Sequence, residues 1–158
     1  MTRLTIAVPN FNGSKNLQRT IKSCKKIQIP LQDYEILIAD NCSTDNSIDI
    51  INEMGKEFPN IVLIKNKENV GRIQNWNICL ENAKGKYLIF LFSNDMINEL
   101  NNIHEILEIL DKNEEISIGF SSLLKKEIDN SYIKKLFSDK IIECSSRRFA
   151  HGCLNRGL

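Results

Sequence analysis

Four short apolar runs, Leu4–Val8, Tyr34–Ala39, Ile61–Ile64 and Tyr87–Phe92, alternate with stretches whose apolar residues recur at helical spacing. Few folds accept that rhythm. Strands of about five residues joined by helices of about ten to fifteen build βαβ units around a mostly parallel sheet. The runs are apolar throughout rather than alternating, as a sheet covered by helices on both faces requires. The expected architecture is therefore an α/β fold, a three-layer α/β/α sandwich. Right-handed crossovers then bring the carboxyl end of every strand to one edge of that sheet.

The segments between the runs carry helix punctuation. Pro9, Asn10, Asn12 and Gly13 end the first strand, and Ser14 is positioned to cap a helix that turns Leu17, Ile21 and Cys24 inward. Pro30 closes that unit. After the second strand, Ser43 or Thr44 is positioned to cap a helix carrying Ile48, Ile51 and Met54, which Gly55 and Pro59 end. A third helix is expected to bury Ile73, Trp76, Leu80 and Ala83 and to stop at Gly85. A fourth, over about 98–113, turns Ile103, Leu107 and Leu110 inward, and Ile116–Phe120 reads as a fifth strand.

Composition sets the outer limits. A length of 158 residues suits one domain, with the βα units in 1–113 and the start of a further, incomplete region in 114–158. Twenty-one Lys and Arg balance twenty Asp and Glu, so the basic excess of a nucleic-acid binder is missing. No apolar run approaches the roughly 18 residues that span a bilayer, and Leu4–Val8 is too short for a signal-peptide core. Five cysteines without a Cys-x-x-Cys pair argue for reduced thiols in a cytoplasmic chain. His104 and His151 stand too far apart in sequence to suggest a zinc site. Seven basic against four acidic residues in 125–148 offer a weak contact with the inner face of a membrane. The abundance of Ile (24), Asn (19) and Lys (15) follows A/T-rich codons and points to a bacterial source.

Ligands of open α/β sheets bind at the carboxyl edge, in the crevice where strand order reverses. The exits Pro9–Asn12, Asp40–Asp45, Asn66–Arg72 and Ser93–Asp95 all belong there. Neither Gly-x-Gly-x-x-Gly nor Gly-x-x-x-x-Gly-Lys-Ser/Thr occurs, so both backbone phosphate cradles are missing. A phosphate ligand would need a metal or basic side chains. Asp95 can give a carboxylate oxygen to Mg²⁺ or Mn²⁺, with Asn94 or Ser93 adding a neutral one. Arg72 and Lys67 can approach the same anion, and Asp40 can accept hydrogen bonds from a base or ribose.

The segments TIAVPNFNG, YEILIADNCSTDNS and NKENVGRIQNWNICLENAKGKYLIFLFSNDMI, in that order and spacing, resemble the N-terminal half of family 2 glycosyltransferases of GT-A fold. The resemblance covers about 4–110. It implies that Pro9, Asn10 and Phe11 contact the nucleoside, and that Asp40, with Asn41 beside it, binds the base. It implies further that Asn69, Gly71 and Arg72 lie along the nucleotide, and that Ser93, Asn94 and Asp95 stand where the family has its Asp-x-Asp metal motif. The implied reaction moves a sugar from a nucleotide diphosphate donor, UDP by expectation, to a hydroxyl of a saccharide or lipid-linked acceptor. It proceeds with inversion and with Mn²⁺ or Mg²⁺, in bacterial surface polysaccharide synthesis. A homo-oligomer is compatible with this reading.

Two departures stand out. Ser-Asn-Asp holds one carboxylate where the family most often has two or more. No base motif surrounds Asp129, Asp139 or Glu143, so no catalytic base is assigned. Alternatives follow for the parts and for the whole. Asp40 and Ser43 can form a turn with a helix cap, and Trp76 reads as core. The chain can be a truncated nucleotide-sugar-binding module without turnover. A receiver-like signalling domain is a third reading, although Pro9-Asn10-Phe11-Asn12 supplies none of the acidic residues it needs.

Overall fold

The computed structural model describes residues 2–97 and 103–112. Their order is β1 (Leu4–Asn10), α1 (Ser14–Ser23), β2 (Tyr34–Asp40), α2 (Ser47–Glu57), β3 (Ile61–Lys65), α3 (Arg72–Asn82), β4 (Tyr87–Phe90) and α4 (Ile103–Lys112). The four strands form one parallel sheet in the order β3-β2-β1-β4. The chain steps outward from β1 to β3 and then returns across β1 to β4. With crossovers of one hand, that reversal moves the covering helix to the opposite face.

The packing follows the reversal. Leu4, Ile6 and Val8 of β1 and Ile36 and Ile38 of β2 join Leu17 and Ile21 of α1, Ile51 and Met54 of α2, and Ile103 and Leu107 of α4 in one buried cluster. The intervening strand residues Ala7 and Ala39 pack with Cys79 of α3 in a second, thinner one. Side chains alternate across a strand, so the two clusters lie on opposite faces of the sheet. These are the three layers expected from the sequence, and the inward residues of α1 and α2 are those the helical spacing indicates.

Helix α3 departs from expectation. Ile73 and Leu80 are 60% and 54% exposed, Trp76 is half-buried, and the residues turned to the sheet are Asn75 and Cys79. The small side chains of Ala7 and Ala39 let the helix approach closely enough for Asn75 Nδ2 to donate to the Ala39 carbonyl at 2.9 Å. Strand β4 is shorter than its apolar run. Leu91 N–H donates to the Ala7 carbonyl at 2.8 Å, but the next backbone donor of β1 on that side belongs to Pro9, which has none. The ladder therefore stops, and the chain from Leu91 onward is free to turn away. The fifth strand at Ile116–Phe120, residues 98–102 and 113 of the fourth helix, and the region 114–158 lie outside the described residues.

The edge opposite the carboxyl ends is tied by polar contacts. Thr5 Oγ1 donates to Glu35 Oε1 at 2.7 Å and accepts from Gly85 N–H at 2.9 Å, while Lys84 N–H donates to the same Glu35 oxygen at 2.6 Å. Asp111 of α4 accepts from Lys86, the Tyr87 hydroxyl and Arg3, which together hold its carboxyl below the usual range. A Cβ at Gly85 would lie 2.4 Å from Thr5 N and 2.5 Å from Leu4 C. Gly85→Ala must push the turn off the sheet, and overpacking of this kind costs about 1–3 kcal/mol. Urea denaturation is expected to show an unfolding free energy lowered by that amount.

Candidate functional site

The first two strand exits are bound to one another before any ligand arrives. Asn10 Nδ2 donates to Asp40 Oδ1 at 2.8 Å and to Ser43 Oγ at 3.2 Å. Ser43 Oγ donates to Asp40 Oδ1 at 2.6 Å and accepts from Asn12 N–H at 2.9 Å, and Ser43 N–H donates to Asp40 Oδ2 at 2.9 Å. Thr44 N–H returns a bond to Asn12 Oδ1 at 2.8 Å. Asn12 and Cys42 hold the left-handed φ values of 50° and 61° that these turns need.

Asp45 continues the seam into the helices. Its Oδ2 accepts from Ser14 N–H at 2.9 Å and its Oδ1 from Ser47 N–H at 3.0 Å, so one carboxylate serves the first turns of α1 and α2. Ser47 Oγ accepts from Gly13 N–H at 3.1 Å. The capping expected of Ser14 and of Ser43 or Thr44 is corrected accordingly. Gly13 and Asn46 precede the two helices without a side-chain cap of their own, and the acceptor comes from Asp45. Partial burial alone would raise the Asp45 carboxyl. Hydrogen bonds from the side chains and backbones of Ser47 and Ser14 overcome that and hold it at about 2.

The third exit is an asparagine network. Asn41 Oδ1 accepts from Val70 N–H at 2.9 Å and from Asn66 Nδ2 at 3.2 Å. Asn41 Nδ2 donates to Asn69 Oδ1 at 2.8 Å, and that oxygen also accepts from Gly71 N–H at 2.9 Å. Asn66 Nδ2 reaches Asn75 Oδ1 at 2.9 Å. Gly71 sits at φ 82° and ψ 164°, a backbone region almost confined to glycine, and so starts α3 at this point. The fourth exit is held by Thr20, whose hydroxyl donates to the carbonyls of Ser93 (3.0 Å) and Asp95 (2.7 Å).

These exits line an open cavity of about 540 Å³ at the carboxyl edge, beside the β1–β4 reversal. Of the residues expected at the site, Pro9, Asn10, Phe11, Asn41, Asn69, Arg72, Ser93 and Asn94 line it. Asp40 does not. It is fully buried, and both its oxygens already accept bonds, so it positions Asn10 and Ser43 beneath the wall while Asn41 forms the wall itself. Gly71 and Asp95 also lie off the lining, Gly71 as the turn before Arg72 and Asp95 partly exposed and next in the chain to Asn94.

Sequence reasoning missed Asn75, Trp76 and Phe92 as lining residues. A signal existed for two of them, since positions three and four after Arg72 share its helix face. Trp76, read as core, is a cavity wall instead. Its ring lies 5.5 Å from Phe92 and 6.2 Å from Phe90, with the Arg72 guanidinium 5.6 Å from its centroid.

Donor chemistry decides which metal these residues suit. Among the described residues no group of three or more His, Cys, Asp or Glu comes together. Ser93, Asn94 and Asp95 present hard oxygens with a single carboxylate. That set fits Mg²⁺ or Mn²⁺ carried largely by a ligand's phosphates, and does not form a cage from protein groups alone.

Because Asp45 titrates well below an ordinary carboxylate, its stabilisation is complete above about pH 4 and is lost as pH falls toward about 2. Asp45→Asn removes the negative charge at the starts of α1 and α2 and is expected to cost about 1 kcal/mol at neutral pH. The gap to the parent chain should close over that acid window, as urea denaturation across pH would measure.

The family model described as glycosyl transferase family 2 matches residues 5–151. A poly(ribitol-phosphate) beta-glucosyltransferase of Bacillus spizizenii is 33% identical over 96 residues, covering 60% of this chain and 15% of that protein. A dolichyl N-acetyl-alpha-D-glucosaminyl phosphate 3-beta-D-2,3-diacetamido-2,3-dideoxy-beta-D-glucuronosyltransferase of Methanococcus voltae is 28% identical over 134 residues, covering 82% of this chain and 41% of that one. The chain thus spans less than half the length of these relatives. Among solved structures, residues 1–349 of TarS from Staphylococcus aureus in complex with UDP-GlcNAc match with a TM-score of 0.64 and 24% identity, over 72% of this chain and 32% of that one. The mannosyltransferase PcManGT from Pyrobaculum calidifontis, in complex with GDP-Man and Mn²⁺, matches with a TM-score of 0.63 and 18% identity, over 68% of this chain and 32% of that one. The fold is therefore that of the GT-A glycosyltransferases, and the chain belongs to glycosyl transferase family 2.

Proposed function

We propose that the cavity binds a UDP-sugar and that the chain serves the transfer of its sugar to a hydroxyl of a saccharide or lipid-linked acceptor in bacterial surface polysaccharide synthesis. One observation carries this reading. All four strand exits converge on a single cavity that joins an exposed aromatic ring, an amide-rich wall and an arginine. Phe11, 48% exposed, offers a face for the base or ribose. Arg72 stands at the start of α3, over Trp76, where its guanidinium can bind a diphosphate in two-pronged fashion. The poly(ribitol-phosphate) relative supports a surface-polymer acceptor, and the UDP-GlcNAc complex of TarS supports a uridine donor.

Transfer with inversion needs the acceptor hydroxyl to attack the sugar from the side opposite the diphosphate, while a carboxylate takes its proton. No described residue is assigned that task. Mn²⁺ or Mg²⁺, held by Asp95 with Asn94 and the diphosphate oxygens, would offset the charge that builds on the leaving group. Arg72 assists from the α3 side, and Ser93 and Asn94 keep the fourth exit against the ligand.

The test is calorimetric binding of UDP to the full chain with and without Mn²⁺, followed by an assay for UDP release from UDP-sugars. Arg72→Ala should raise the UDP Kd by about 10-fold or more, the value of one charge-assisted contact. Asp95→Ala should remove the gain in affinity given by Mn²⁺. Unchanged affinity in the first variant and a retained Mn²⁺ effect in the second would refute these roles. Binding without release would instead favour the nucleotide-sugar-binding module without turnover.

A further inference from the structure

One polar atom at the cavity lacks the partner that its burial calls for. Asn10 is 1% exposed, and its Oδ1 finds no hydrogen-bond donor among the described residues. Turning the amide over does not mend this. Nδ2 donates to Asp40 Oδ1 and Ser43 Oγ, and an oxygen in its place would face the carboxylate. A buried acceptor left unpaired is costly, so its persistence needs a reason.

The hydroxyl of Ser93 is a free donor beside it. A Cβ on Gly13 would lie 2.2 Å from Asn10 Oδ1 and 3.0 Å from Ser93 Oγ, so both oxygens border one small space that a glycine leaves open. Gly13 has a φ of −94°, which any residue adopts, so the space and not the backbone explains the glycine. Ser93 is bonded through its carbonyl, and its Oγ has no partner among the described residues. Asn10 and Ser93 line the same cavity.

The fourth exit is hinged so that this hydroxyl can cross the gap. Its far end is fixed, since Asp95 N–H donates to the Phe92 carbonyl at 2.8 Å and Ile97 N–H to Ser23 Oγ at 2.9 Å. Its near end shares one proton. Thr20 Oγ1 lies 2.7 Å from the Asp95 carbonyl and 3.0 Å from that of Ser93, and a hydroxyl has a single hydrogen to give. Thr20 can keep the shorter bond while Ser93 moves.

Resting on the reading of this cavity as a nucleotide-sugar site, we infer that Asn10 is a positioning residue for the fourth exit, its Oδ1 receiving the Ser93 hydroxyl when the ligand is bound and so drawing Asn94 onto that ligand. One amide then joins three exits, its nitrogen holding the floor and its oxygen the opposite wall. Pairing the orphaned acceptor favours the closed arrangement, and the contacts that Asn94 gains with the ligand supply the bias toward it.

The test is nuclear magnetic resonance of the full chain with the Asn10 side-chain amide assigned, since a carbonyl that accepts a hydrogen bond moves its carbon resonance downfield. Saturation with UDP should move the Asn10 Cγ resonance downfield in the parent chain and leave it in place in Ser93→Ala. Ser93→Thr, which keeps the hydroxyl, should restore the movement. Calorimetry should show UDP bound about 3- to 10-fold more weakly by Ser93→Ala, the value of one neutral hydrogen bond. A parent resonance that stays put at saturation, the same movement in Ser93→Ala, or an unchanged affinity in that variant overturns the inference and leaves the nucleotide-sugar reading standing. No binding of UDP removes both. If circular dichroism shows that Ser93→Ala does not fold, the parent chain decides alone, and an unmoved resonance sinks the inference.

Discussion

Every contact in the cavity depends on the seam between the loops that leave β1 and β2. Two adjacent parallel strands end side by side, and their exits would diverge as the chain enters separate helices. Asp40 and Asp45 prevent this from one loop, receiving N–H groups from Asn10, Ser14, Ser43 and Ser47. Carboxylates suit the task because each oxygen can accept more than one bond, and because negative charge is favoured at helix starts. The result is a floor that is ordered by its own hydrogen bonds, so ligand binding does not have to meet the entropy of arranging it.

The cavity owes its existence to what β4 fails to do. Had the ladder between β1 and β4 continued, the fourth exit would have run alongside the first and filled the crevice. Pro9 interrupts it by lacking an N–H at the one place where β4 would need it. Leu91 closes the last bond, and Phe92 to Asp95 then turn toward α1, where Thr20 fastens them. A single imino acid in a central strand thus separates the walls.

The fold was legible because its determinants are local: apolar runs, breakers and helical spacing each act over a few residues. Leu17, Ile21, Ile51 and Met54 show this, being buried as their periodicity requires. Helix α3 was not legible for the same reason. Whether Trp76 or Asn75 turns inward depends on Ala7 and Ala39, distant in sequence, being small enough to admit the helix. The site divides along the same line. That Asp40 to Asp45 leaves a strand at the ligand edge follows from local pattern. That Asp40 points into the protein while Asn41 reaches the wall depends on which partner each side chain finds, and Asn10 and Val70 lie far away along the chain.

The amide wall has a final implication. Asn41, Asn69 and Asn75 carry no ionisable group, so the face they turn to a ligand is the same in mildly acidic and mildly alkaline surroundings. If a nucleotide binds as proposed, proton concentration acts on it through its phosphates and whatever neutralises them, but not through this part of the pocket. On the proposed reading, titration of the charged tail and the contacts of this wall are insulated from each other.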